Sequence, residues 1–323
     1  MSTSATPAFR PTYETCKEVS PFCPIKATTI GYAPNLGVNA FAAAIFGLAT
    51  LLTLSTGIWK RTWGFSLAVA AGCTLETAGY VSRALLSQNV WNSNAFKTQI
   101  VAIVLGPTLL CIGLYLTLKH AVVALNPSLT RLPPRLYPLI FVPADIFSLV
   151  TQAIGGALAA SGPDHPSLLT HGNRVIIAGI VLQVVVLAIF GLLGGEFLWR
   201  VKRWVDSGTA PADSPGLALW RDKKFSMFLY AILVTYVLFF IRCVYRIAEM
   251  AGGWGNYIMQ DEPSFVVLET FMILIGSALL AIFAPGIFFP QMSRSLEAKE
   301  GVKAQTDSES SGNDTAGEKS AQR

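Results

Sequence analysis

The sequence predicts an all-α polytopic membrane protein, a seven-transmembrane-helix bundle with its N-terminus outside and its C-terminus in the cytosol. Of its 323 residues, 52% are hydrophobic and 13% are charged, whereas a soluble domain has about 25% charged residues. The apolar residues form seven blocks, each long enough to cross about 30 Å of hydrocarbon. This composition argues against an ordinary soluble enzyme, a disordered chain or a collagen-like protein.

The seven blocks are continuously apolar instead of alternating, which favours helices over a membrane β-barrel. Residues 1–33 are expected to form an extracellular N-terminal segment, 34–290 the membrane domain and 291–323 a disordered cytosolic tail. The spans are predicted at residues 35–59, 63–86, 98–118, 137–160, 175–198, 225–247 and 265–289.

The basic residues in the loops predict the orientation. Eleven lysines and arginines, from Lys60 to Lys224, lie in the loops on one side of the predicted spans, whereas the opposite loops carry only Lys97 and Arg174. The N-terminal segment adds Arg10, Lys17 and Lys26 to that opposite side. Cytoplasmic loops carry the excess of positive charge, so the first side is expected to be cytosolic. The net charge of +5 therefore reflects membrane topology, and no nucleic-acid partner is expected.

Polar and charged residues inside the spans are the candidate substrate-binding residues, because charge at bilayer depth is costly. Several are spaced by three, four or seven positions, which places them on one helical face. They predict a polar cavity open to the outside. The alternative is that ion pairs, Glu76 with Arg83 or Arg242 with Glu249, only fix helix packing. The candidates are Glu76, Tyr80, Arg83, Asp145, Gln152, Gln183, Arg242, Arg246, Glu249 and Glu269.

The remaining chemistry points away from catalysis. Cys16 and Cys23 lie in the external segment, where an oxidising environment favours a disulfide. The chain has three histidines and no H-E-x-x-H, P-loop or G-x-S-x-G motif, so no metal site, cofactor or enzyme activity is expected. A G-protein-coupled receptor stays open as an alternative, although the third span ends Leu118-Lys119-His120 instead of in an acidic-Arg-aromatic triplet.

Motifs within the spans resemble those of the fungal lipid-translocating exporter (RTA-like) family. The second span matches E-x-x-G-Y-x-x-R from Glu76 to Arg83, and the fourth matches D-x-x-S-x-x-x-Q-x-x-G-G from Asp145 to Gly156. The sixth matches R-x-x-[YF]-R-x-x-E from Arg242 to Glu249. Two positions depart from the family: Glu269 replaces the usual Asp, and Ala284 replaces a frequent His.

The resemblance implies a plasma-membrane translocator of amphipathic molecules, with links to sphingoid long-chain bases, toxic sterol analogues and drugs, and porphyrin or haem. Glu76, Asp145 and Glu269 would then pair with a substrate ammonium. Arg83, Arg242 and Arg246 would hold those carboxylates ionised or contact an anionic headgroup. The expected partners are this substrate and membrane lipids.

Three other functions compete with this one. A lipid or drug sensor would use the same cavity and signal to unknown cytosolic partners through the basic loop at 200–224. A porphyrin or haem transporter would carry a different cargo. A membrane hydrolase has only the buried carboxylates in its favour.

Overall fold

The computed structural model describes residues 11–160, 166–209, 211 and 214–289, and their regular structure is helical apart from one β-bridge between Ser20 and Cys23. The predicted tail at 291–323 lies outside these residues. A π-helical turn at Val266–Phe271 joins α8 to α9. The helices are α1 Leu36–Lys60, α2 Trp63–Gln88, α3 Ser93–Leu125, α4 Leu136–Ala160, α5 Pro166–Asp206, α6 Pro215–Arg221, α7 Lys223–Ala251, α8 Glu262–Phe265, α9 Met272–Ile282 and α10 Pro285–Phe288.

Six helical segments of the described chain are long and apolar enough to cross a membrane, so the protein is a multi-pass membrane protein built as a helical bundle. They are Leu36–Lys60, Ser93–Leu125, Leu136–Ala159, Ser167–Asp206, Lys223–Ala251 and Glu262–Ile282. The remaining long helix, α2, has 26 residues but carries Glu76, Tyr80 and Arg83, which make it less apolar. A seventh span through α2 stays a prediction.

The last predicted span differs most from the observed helices. The prediction of one continuous span at 265–289 is replaced by α8, the π-helical turn, α9 and the separate short helix α10. Pro285 begins α10, where its missing N–H costs nothing because the first turn has no intrahelical acceptor for it. Helices α3 and α5, with 33 and 41 residues, extend beyond their predicted spans.

Glycines bring α4 and α5 together as a tightly packed hairpin. A Cβ atom at Gly155 would lie 2.7 Å from the Ile176 nitrogen and 2.8 Å from the Gly172 oxygen, and one at Gly179 would lie 2.9 Å from the Ser148 oxygen. Small residues allow such close approach of helix backbones in membranes. The close packing of the hairpin therefore requires glycine, which has no side chain, at these positions.

The N-terminal segment covers one end of the bundle, here named the capped end. A disulfide joins Cys16 to Cys23, and Trp91 Nε1 donates a hydrogen bond of 3.0 Å to the Cys23 carbonyl. Tyr13 stacks on Phe96 with ring centroids 4.4 Å apart, and burial raises the pKa of Tyr13 to about 12. At the opposite end, here named the basic end, Glu196 forms ion pairs with Arg131 and Arg200.

The glycine packing predicts a contrast between two adjacent positions. Gly155→Ala is expected to destabilise the protein by about 1–3 kcal/mol because the new methyl group overlaps α5 backbone atoms. Gly156→Ala meets no atom within 4 Å and is expected to be neutral or to stabilise by up to about 1 kcal/mol through helix propensity. Thermal unfolding of both variants in detergent measures the difference, and equal unfolding temperatures would contradict it.

Candidate functional site

The charged candidates lie inside the bundle. Six of these charged residues are each at most 3% exposed, whereas Arg246 and the neutral candidate Gln152 are partly exposed. A buried charge requires a partner or a ligand. The six are Glu76, Arg83, Asp145, Arg242, Glu249 and Glu269.

Arg242 and Glu269 form the central ion pair. Arg242 Nη2 and Nε lie 2.6 Å and 2.9 Å from Glu269 Oε1. The same Nη2 donates a 2.9 Å hydrogen bond to the Ile103 carbonyl. The pair therefore joins α7, the π-helical turn and α3, and the π-helical turn that carries Glu269 is a form often found at functional sites.

Glu76 lies close to this pair. It interacts electrostatically with both Arg242 and Glu269, and its Oε1 has no hydrogen-bond partner among the described residues. A Cβ atom at Gly106 would collide with that oxygen. The glycine in α3 thus provides the space that the Glu76 carboxylate occupies.

Asp145 belongs to a second group, on the α4–α5 hairpin. The Tyr115 hydroxyl donates a 2.7 Å hydrogen bond to Asp145 Oδ2, while Oδ1 has no partner in the part of the chain described. Gln152 donates to Gln183 at 3.3 Å, and Gln183 donates to Thr108 at 3.0 Å. These bonds connect the hairpin to α3.

A third group lies at the capped end. Arg246 forms an ion pair with Glu249. Arg83 donates to the Tyr32 hydroxyl, and its guanidinium carbon lies 3.8 Å from the ring centroid of Phe265. The N-terminal segment thus contributes Tyr32 to this group.

Two cavities reach these groups. The capped-end cavity, about 510 Å³ including space open to solvent, is lined by Arg83, Arg246, Glu249 and Gln99 together with aromatic and apolar side chains. The inner cavity, about 220 Å³ including space open to solvent, is lined by Gln152, Gln183, Arg242 and Arg246 among others. Arg246 lines both cavities and therefore separates them.

The ion pairs predicted within single helices are wrong in their partners. Glu249 pairs with Arg246 instead of Arg242, and Arg242 pairs with Glu269. Residues seven positions apart lie on one face but about 10.5 Å apart along the axis, which favours partners on another helix or one turn away. Tyr80, the remaining candidate, is buried and stacks on Phe46.

Sequence reasoning missed several neutral partners. Tyr115, Thr108, Tyr32 and Gln99 contact or neighbour the charged groups. Hydroxyl and amide side chains are common in helices and carry no charge penalty that would single them out. One available signal was the sequence Gly31-Tyr32-Ala33-Pro34-Asn35 at the predicted start of the first span, which is similar to the start of the family.

The central ion pair predicts a large cost for removing one partner. Arg242→Met is expected to destabilise the protein by about 3–5 kcal/mol because Glu269 is left buried and unpaired. The double variant Arg242→Met with Glu269→Leu is expected to recover most of this loss. Reversible unfolding in mixed detergents measures both.

The exposed pair at the basic end provides the control. Arg131, whose side chain is 65% exposed, bonds Glu196, and Arg131→Ala is expected to cost at most about 1 kcal/mol. Equal costs for Arg242→Met and Arg131→Ala would contradict the central role of the buried pair.

Comparison with known proteins agrees with the span motifs. The chain is 31% identical over 294 residues to the sphingoid long-chain base transporter RSB1 of Saccharomyces cerevisiae, covering 84% of this chain and 77% of the relative. It is 26% identical to protoporphyrin uptake protein 1 of the same yeast, covering 68% of this chain and 67% of the relative. Protein RTM1 of that species is 24% identical, covering 76% and 74%.

No solved structure shows significant similarity to the chain. The family described as RTA1 like protein matches residues 69–292, which include every charged candidate within the spans. The resemblance inferred from the span motifs is confirmed, and the chain belongs to the RTA1-like family.

Proposed function

We propose that this protein translocates amphipathic molecules with a cationic headgroup, of the sphingoid long-chain base class, across the membrane. The observation that carries this proposal is a set of buried carboxylates with an oxygen that no described residue bonds. Glu76 Oε1, Asp145 Oδ1 and Glu269 Oε2 each have this property. The name of the yeast relative, a sphingoid long-chain base transporter, supports the same substrate class.

The chemistry of these oxygens suits an ammonium group. An amine headgroup carries three N–H donors, and a buried acceptor without a donor costs about 1–3 kcal/mol, more when it is charged. A passing ammonium would satisfy these acceptors in turn, first in one group and then in the other. These three carboxylates do not line either of the two cavities that the described residues form. Transport therefore requires the helices to rearrange.

The seam beside the α4–α5 hairpin is the proposed place of that rearrangement. The hairpin is fixed internally by its glycines, whereas polar bonds from Asp145 to Tyr115 and from Gln183 to Thr108 connect it to α3. Exchanging the partners of hydrogen bonds between helices costs less free energy than shifting a close-packed backbone contact. The inner cavity lies along this seam.

The proposed topology has seven spans. Helix α2, at 26 residues, is about 39 Å long and serves as a seventh span. The capped end faces outside, the basic end faces the cytosol, and the plasma membrane is the proposed location. In this arrangement the protein acts as a transporter in lipid asymmetry or resistance to toxic amphiphiles, and not as an enzyme.

A second cargo class is supported by one specific relative. Protoporphyrin uptake protein 1 is 26% identical to this chain, and a porphyrin is also amphipathic. A porphyrin carries carboxylates instead of an ammonium group, so it would depend on arginines more than on Glu76. Competition between labelled sphingoid base and protoporphyrin distinguishes the two cargoes.

A transport assay tests the main proposal. Purified protein in liposomes is expected to move a labelled sphingoid base between leaflets, and Glu76→Gln is expected to reduce the rate at least about tenfold by removing one buried charge partner. Glu196→Gln makes the same chemical change at the basic end, where Glu196 bonds two arginines, and is expected to keep the wild-type rate.

Two results would overturn the proposal. Folded wild-type protein that binds the base without moving it would favour a sensor. Equal rates in the Glu76 and Glu196 variants would remove the buried carboxylates from the pathway.

The topology makes a separate prediction. Cysteines introduced at the exposed positions Phe22 and Ser207, in a chain whose buried Cys73, Cys111 and Cys243 are replaced by alanine, are expected to react from opposite sides of intact cells. A membrane-impermeant maleimide should label position 22 and leave position 207 unlabelled until the cells are opened. Labelling of position 207 in intact cells would reverse or disprove the orientation.

A further inference from the structure

Arg83 differs from Arg242 and Arg246 in lacking an ion pair with a carboxylate of the described residues. Arg242 pairs with Glu269 and Arg246 with Glu249, but none of the described carboxylates forms an ion pair with Arg83. Arg83 is 2% exposed, and its guanidinium donates to the neutral Tyr32 hydroxyl and packs on the Phe265 ring. A buried cation with only neutral contacts lacks the compensating charge that burial requires.

Gln99 provides a second, independent observation in the same cavity. Its side chain is buried at 6% exposure, it lines the capped-end cavity with Arg83, and its Oε1 has no partner among the described residues. The cavity thus offers an unpaired cation and an unpaired hydrogen-bond acceptor. Both are complementary to one headgroup that carries an anion and a donor.

The charge of the cavity wall points the same way. Two arginines and one glutamate are the charged residues that line it among the described positions, so its wall carries a net positive charge. In a medium of low dielectric constant, such a wall favours a headgroup that includes an anion over one that is only cationic. A headgroup that brings its own anion is attracted.

The rest of the lining suits a hydrocarbon chain. Phe96, Ile100, Trp254 and Phe265 contribute apolar and aromatic surface beside Arg83. This lining combines apolar walls with a few placed polar groups, as small-molecule sites do. An amphiphile fits this combination better than a free inorganic ion does.

We infer that the capped-end cavity binds amphiphiles whose headgroup carries an anionic oxygen group, a phosphate or a carboxylate, together with a hydrogen-bond donor. Arg83 holds the anion, since its planar guanidinium matches phosphate and carboxylate oxygens, and Gln99 Oε1 accepts from the donor. The inference deepens the proposed function and rests on it for the route onward. Headgroups of this kind enter at Arg83, and their amines then meet the buried carboxylates.

Binding measurements on the full chain in nanodiscs test this site. The probes are a labelled long-chain base, its phosphate monoester and a carboxylate amphiphile with the same chain. Wild-type protein is expected to bind at least one anionic probe about 10- to 100-fold more tightly than the plain base, the value of one charged hydrogen-bonded contact. Comparison of the two anionic probes identifies which group Arg83 prefers.

Variants make the test specific to Arg83. Arg83→Gln is expected to bring the affinity ratio of anionic probe to plain base close to one, and Arg83→Lys to retain part of it. Arg131→Gln, at the exposed basic end, is expected to keep the wild-type ratio. If Arg83→Gln does not fold, Gln99→Leu serves instead and is expected to weaken the anionic probe with its donor more than a probe whose donor is methylated.

The outcomes separate this inference from the proposed function. A wild-type ratio near one, or an unchanged ratio in Arg83→Gln, would overturn the anion site even if the plain base is transported. Selective anion binding that depends on Arg83, in protein that moves no base in liposomes, would support the site and reject the transport proposal.

Discussion

The ion pair between Arg242 and Glu269 is the interaction on which the interior of this protein depends. It is almost fully buried, and its arginine also bonds the Ile103 carbonyl, so α7, α3 and the π-helical turn are fixed at one point. Separating these charges in the bilayer interior would expose each to an apolar medium. The position of Glu76 beside the pair, and the glycine at 106 that makes room for it, follow from this constraint.

The polar interior is divided according to charge. Near the middle of the bundle, Glu76, Asp145 and Glu269 each present an oxygen that no described residue bonds, whereas at the capped end Arg83 forms an ion pair with none of the described carboxylates. Arg246 stands between the two cavities. An amphiphile with charges of both signs would therefore meet complementary groups in sequence, which relates the anion site to the proposed transport path.

The N-terminal segment packs against the bundle and contributes to the candidate site. Its disulfide and its contacts with Trp91 and Phe96 hold it against the bundle, and Tyr32 from the same segment bonds Arg83. The lining of the capped-end cavity is thus formed partly by residues outside the long helices, among them Thr29, Ile30 and Tyr32. Residues between 11 and 35 contribute directly to the candidate site.

The sequence by itself determined the helical membrane class, the family and the residues that carry buried charge, because hydrophobic block length and the cost of charge in lipid act locally along the chain. The tertiary structure alone decided the partners. Arg242 and Glu269 are 27 residues apart, and Asp145 meets Tyr115 across 30 residues, distances at which helical periodicity carries no information. Helix packing sets which side chains approach closely enough to pair. It therefore also decides that Arg83 forms an ion pair with none of the described carboxylates.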